Sequence, residues 1–93
     1  MAESTGTPPL EELMEFPSTY TIKVVGNATA DFAVRIHEII TVHAADTVQQ
    51  PDIRPSSKGT FVSVNITFIT TSVEHLHAIH RDVKAADGVK MIL

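Results

Sequence analysis

The chain has no cysteine and no tryptophan. Without thiols it has no disulfide scaffold, no cysteine nucleophile and no cysteine-based zinc site. Aromatic residues are sparse: Phe16, Tyr20, Phe32, Phe61 and Phe68. No apolar run approaches the roughly 18 residues needed to span a bilayer. The stretch Met1-Ala2-Glu3-Ser4-Thr5-Gly6-Thr7-Pro8-Pro9 lacks the basic start and apolar centre of a secretory leader. The expectation is a cytoplasmic protein with no membrane attachment. Basic residues are also scarce: seven Lys and Arg face eleven Asp and Glu, a formal charge of −4. A nucleic-acid module needs a basic stripe to neutralise phosphates, and an anionic membrane surface asks for the same. Neither partner is expected. Five histidines would reverse the net sign if all were protonated in mild acid, but surface placement is the simpler reading.

What is present fits one domain. Ninety-three residues suit a single core, burying roughly 60–70% of the surface of the unfolded chain. Residues 1–9 are small and polar and end in a Pro-Pro pair, so they read as a disordered tail. Leu10, Leu13 and Met14 share one face at i, i+3, i+4 spacing, and Pro17 stops that short helical stretch. It reads as a flap on the domain, or else as a partner-binding segment.

Periodicity then switches repeatedly between 2 and 3.6. Tyr20, Ile22 and Val24 alternate with Thr19, Thr21 and Lys23, which predicts a strand over 18–25. Phe32, Ile36, Ile39, Ile40 and His43 recur at helical spacing and predict a helix over 29–44, with Thr29 as N-cap and Asp31 in the first turn. A second strand over 47–54 contains Pro51, which lacks the N–H of a central strand, so it belongs at a sheet edge. Val62, Val64, Ile66 and Phe68 alternate with Ser63, Asn65 and Thr67, predicting a third strand over 60–70 with one buried face. A helix over 72–86 follows. Thr71-Ser72-Val73-Glu74 suggests a capping box, and Val73, Leu76, Ile79, His80 and Val83 form its inner stripe. Asp87-Gly88 ends it, and 89–93 is a last short strand.

The order β-α-β-β-α-β is the split βαβ, or ferredoxin-like plait, an α+β fold. Right-handed crossovers place both helices on one face of a four-stranded antiparallel sheet. Strands one and three become central, two and four the edges. Residues 10–93 form this one domain.

Four segments carry a resemblance: Leu13-Met14-Glu15-Phe16-Pro17, Tyr20-Thr21-Ile22-Lys23-Val24-Val25-Gly26, Pro55-Ser56-Ser57-Lys58-Gly59-Thr60-Phe61-Val62-Ser63-Val64 and Val89-Lys90-Met91-Ile92-Leu93. Together they resemble the YbeD-like family of small bacterial proteins, over residues 10–93. The resemblance implies an α/β plait similar to ACT-type regulatory domains. Those domains bind small effectors, often amino acids, near the first β–α loop and at subunit interfaces. It also implies a genomic setting beside lipoate-attachment genes, and it brings no functional residues with it.

Two loops and one sheet face are candidate sites. Ser56, Ser57, Lys58 and Gly59 offer two hydroxyls, an ammonium and an opened turn, suited to a phosphate or carboxylate. They do not match the P-loop, whose lysine opens a helix, and a hairpin turn with Gly59 at positive φ is the simpler reading. Gly26 and Asn27 precede the first helix, whose free N–H groups favour an anion, although every helix has such an end. The sheet face away from the helices should carry Thr21, Lys23, Ser63, Asn65 and Thr67, with Phe61, Ile69 and Ile92 toward its edges. That mixed surface permits a second copy or a partner protein.

His77 and His80 stand at i, i+3, but a zinc site asks for more ligands and no His-Glu-x-x-His pattern is present. No nucleophile elbow, nucleotide fingerprint or paired-carboxylate pattern appears. The sequence therefore reads as a regulatory or adaptor domain with no cofactor and no catalysis. It would bind a small anionic effector or a partner protein; the alternative is a purely protein-binding module.

Overall fold

The structure is a computed structural model that describes residues 15–93. The tail over 1–9 and most of the 10–16 flap lie outside the described residues. The elements are β1 (Ser18–Asn27), α1 (Phe32–Ala44), β2 (Asp52–Pro55), β3 (Phe61–Thr70), α2 (Val73–Lys84) and β4 (Val89–Ile92). They form one antiparallel sheet in the order β2-β3-β1-β4, the ferredoxin-like plait. Among the described residues no helix is long and apolar enough to cross a membrane.

The long central pair organises the sheet. β1 and β3 align over ten residues, from Ser18 opposite Thr70 to Asn27 opposite Phe61. Both alternate with period two, so one register sets the main apolar stripe of each strand on the helix side. Ile22, Val24, Val64, Ile66 and Phe68 are fully buried there. Helix α1 lays Phe32, Ala33, Ile36, Ile40 and Ala44 on that face, and α2 lays Leu76, Ile79 and Val83. Ile39, part of the expected stripe, is only half-buried at its margin.

Both helix starts differ from the expectation, each by a side chain finding a better partner. Helix α1 begins at Phe32, and Asp31 stands at the N-cap without a side-chain capping bond. Its carboxylate instead accepts a 2.7 Å bond from Arg35, one turn on. A charged donor outcompetes a backbone N–H for that carboxylate. At α2 the cap is Ser72, not Thr71, with the His75 N–H donating to Ser72 Oγ at 3.0 Å. The residue that reaches back is therefore His75, whose Nδ1 accepts from the Thr71 N–H. The helix ends two residues early, at Lys84, because the chain must turn before Val89 pairs with Gly26.

Strand β2 is shorter than the expected 47–54. Residues 47–49 still follow β3, but through a Gln49 N–H bond to the Thr67 carbonyl and a bond from the Ile69 N–H to Thr47 Oγ1. Val48 meanwhile turns inward against the core. Pro51 cannot donate to a ladder, so regular pairing starts only at Asp52.

The two helices are joined by polar groups. His75 Nε2 donates to the His43 carbonyl at 2.8 Å, which fixes Nδ1 as an acceptor. Thr70 Oγ1, fully buried, lies 2.9 Å from that Nδ1. His43 Nε2 lies 2.7 Å from Asp82 Oδ2. The His43 hydrogen bond, and then that of Arg81, holds the Asp82 carboxyl below its ordinary value of 3.8. A depressed carboxylate stabilises the fold above its unfolded pKa, and that contribution is lost as pH falls through the folded one.

Two tests follow from this packing. Val64→Asp buries an unpaired charge and should cost more than about 4 kcal/mol, while Val42→Asp on the exposed side of α1 should stay within about 0.5 kcal/mol in urea denaturation. The stability difference between the native protein and Asp82→Asn should be full at neutral pH and close below pH 3.8, read from urea melts across that range.

Candidate functional site

The face of the sheet away from the helices is concave. Its trough, about 520 Å³, spans β1, β3 and β2. Register sets its floor in cross-strand rows. One row runs Arg54, Ser63, Val25, Met91; the next runs Asp52, Asn65, Lys23. Thr21 and Thr67 follow, their hydroxyls 2.8 Å apart. Ser56 and Phe61 close the end beside the hairpin.

Lys23 and Arg54 thus flank Ser63 and Asn65 from opposite sides. Lys23 forms no ion pair among the described residues. Arg54 meets Asp52 at 3.4 Å, with both side chains more than half exposed, a pair that solvent screens to little net energy. Asn65 Nδ2 makes only long contacts, 3.5 Å to the Asp52 carbonyl and to Ser63 Oγ. Two cations, two hydroxyls and a loosely held amide can therefore turn to a ligand at small cost. Such a set suits a carboxylate or phosphate. All five histidines, by contrast, sit on the two helices, so none shares the trough with its hydroxyls.

Of the sequence candidates, Ser56, Ser63 and Asn65 are brought together in the trough. Ser57 and Lys58 lie on the hairpin beside it, with Ser56 in a shallow depression of about 210 Å³. The hairpin closes through the Gly59 N–H to the Ser56 carbonyl at 3.0 Å, and Gly59 takes φ +73 with nothing near its missing Cβ.

Gly26 and Asn27 lie at the end of β1. There the Asn27 N–H bonds the Gly88 carbonyl, the Ala28 N–H the Thr60 carbonyl and the Thr29 N–H the Asn27 carbonyl. These loop donors already have acceptors, and the helix start carries the Asp31 carboxylate. Gly26 has a packing role: a Cβ there would strike the Phe32 ring and lie 2.6 Å from the Gly88 carbonyl oxygen. Ile92 is not on the open face. Lys90 is an extra residue in a bulge between the Val89–Gly26 and Met91–Val25 pairs, which turns Met91 to the open side and Ile92 to the core.

Arg54 and Asp52 escaped the sequence reading. The signal was their alternation about Ile53, obscured while Pro51 left the bounds of the strand unfixed. Among the described residues no group of three His, Asp or Glu side chains could hold a metal. His80 packs its ring 5.8 Å from that of Tyr20.

Residues 11–93 match a family described as a protein of unknown function, DUF493. The chain belongs to the DUF493 family. A UPF0250 protein of Vibrio cholerae is 36% identical over 84 residues, 90% of this chain and 90% of its own. The UPF0250 protein YbeD of Escherichia coli O1:K1 is also 36% identical over 84 residues, 90% of this chain and 95% of its own. The solution structure of H. pylori protein HP0495 superposes with a TM-score of 0.77 at 16% identity, covering 100% of this chain and 94% of that one. That likeness concerns the fold alone. The resemblance carried by the Ser56–Thr60 hairpin and its flanking strands is thus a family relationship, and DUF493 membership spans the whole plait.

Gly26→Ala should cost about 1–3 kcal/mol through overpacking against Phe32. Gly59→Ala should cost about 1–2 kcal/mol through the left-handed backbone alone. Urea denaturation of both variants checks the two values, and Gly59→Ala should leave the near-ultraviolet signal of the core unchanged.

Proposed function

We propose that this DUF493 domain works by binding, as a regulatory or adaptor unit, with a small anionic effector lying on the open sheet face between Lys23 and Arg54. The observation that carries this reading is the trough itself. Lys23 and Arg54 converge on it from two strands, with the Ser56 and Ser63 hydroxyls and the Asn65 amide placed to donate to the anion. The histidines stand on the far side of the sheet, so the trough holds no hydroxyl–imidazole pair for general-base chemistry. Binding energy gathered there would shift a conformational equilibrium in an associated protein. The family's resemblance to amino-acid-binding regulatory plaits and its lipoate-gene setting make amino acids and lipoate the first ligands to try.

A second reading has its own support. Phe61, Ile69 and Met91 are 38%, 38% and 52% exposed and ring the polar trough on the same face. Apolar residues around a polar centre suit a protein partner, with no small ligand needed.

Thermal unfolding against acidic amino acids, lipoate and nucleotides separates the two readings. A ligand at about 100 times its Kd adds about 2.7 kcal/mol to the native state and raises Tm. The shift should fall by at least about half in Lys23→Ala and in Arg54→Ala, each contact being worth about 1.5–3 kcal/mol. No shift with any ligand, together with a co-purifying protein lost in Phe61→Ser, would favour the second reading.

A further inference from the structure

A second groove, about 610 Å³, runs between α2 and β4. Arg81 and Lys84 enter it from one face of the helix, at i, i+3 spacing, and Lys90 enters from the strand. Three of the chain's seven Lys and Arg residues therefore gather here, in a protein whose net charge is −4. Among the described residues no carboxylate lines the groove. Lys84 and Lys90 form no ion pair among the described residues, and the 3.3 Å contact of Arg81 with Asp82 leaves its side chain 74% exposed. Val89 and Ile92 pack inward against the core and line the groove together with His80 and Met91.

β4 is also the outer strand of the sheet, so its far edge has no strand partner among the described residues. It is four residues long and carries the bulged Lys90. Short length, a bulge and a lysine keep an edge from pairing indiscriminately. The same lysine favours an incoming strand that brings carboxylates, because opposite charges across an interface select partners and steer their approach.

We propose that this groove receives an extended acidic segment of a partner protein, which adds beside β4 as a fifth strand. Main-chain bonds to the β4 edge would hold it. Alternate carboxylates would face Arg81, Lys84 and Lys90, and the intervening apolar side chains would lie on the Met91 side. The proposal concerns a surface separate from the trough and does not depend on a ligand there.

The test uses the full chain and a short fluorescein-labelled peptide of alternating Glu and Val, titrated by anisotropy. Saturable binding is expected, weakening about tenfold between about 50 and about 300 mM salt. The double variant Lys84→Glu/Lys90→Glu should bind at least about tenfold more weakly, whereas Lys23→Glu on the open face should bind like the native protein. Methylating alternate amides of the peptide should abolish binding, since the ladder is then blocked. Four results would each overturn the proposal: no saturable binding, equal binding by a Lys-Val peptide, full binding by the methylated peptide, or displacement by inorganic tripolyphosphate at concentrations matching the peptide. The last would make the groove a site for a free polyanion. All substituted residues are exposed, and circular dichroism confirms the fold of each variant.

Discussion

The antiparallel pairing of β1 with β3 is the constraint from which the rest of the molecule takes its shape. Ten residues of each strand face one another without a slip. Because side chains alternate strictly along a strand, that single register assigns Ile22, Val24, Val64, Ile66 and Phe68 to the helix side together. A shift of β3 by one residue would turn Val64, Ile66 and Phe68 away from the helices and Ser63 and Asn65 toward them. Both helices dock on this aliphatic face, and their own apolar stripes are legible only as its complement. The same register builds the opposite face, where Lys23 and Arg54 come to flank Ser63 and Asn65. Core and trough are two sides of one pairing.

The ends of the sheet are finished differently. At the end where β1 leaves, Gly26 admits the Phe32 ring, and the loop N–H groups of Asn27 and Ala28 bond the carbonyls of Gly88 and Thr60. Three connections are thereby tied at one point. At the other end, buried Thr70 and the His75 ring join the end of β3 to the start of α2, and His75 in turn holds the last turn of α1 through the His43 carbonyl. The buried Thr70 hydroxyl and both ring nitrogens of His75 thus have hydrogen-bond partners, with His75 standing where an acidic capping residue was expected.

Charge is distributed in the same divided way. The chain is acidic as a whole, and its carboxylates Asp31, Asp52 and Asp82 each hold an arginine. The lysines are left unpaired among the described residues. One of them stands in the open-face trough and two in the groove beside β4. A protein with a negative net charge thus presents two local positive surfaces, on different sides of the sheet, each bordered by apolar side chains.

The element order, the edge position of the proline-bearing strand, the buried parity of β3 and the two helical stripes were all written in the chain. Each depends on local periodicity, and periodicity survives in one dimension. Thr29 and Thr71 looked like helix caps because capping motifs are local too, but Arg35 drew Asp31 away and His75 took up the reach-back, contacts chosen by what the folded neighbours offered. Arg54, Asp52 and the Arg81–Lys84–Lys90 groove had no local signature, since their meaning lies in which strand lies beside which and on which side of a bulge each residue falls. Sequence alone determined the plait and the two faces of its central strands. Only the tertiary structure decided which charges share a surface, because cross-strand register and the Lys90 bulge join residues that are far apart along the chain.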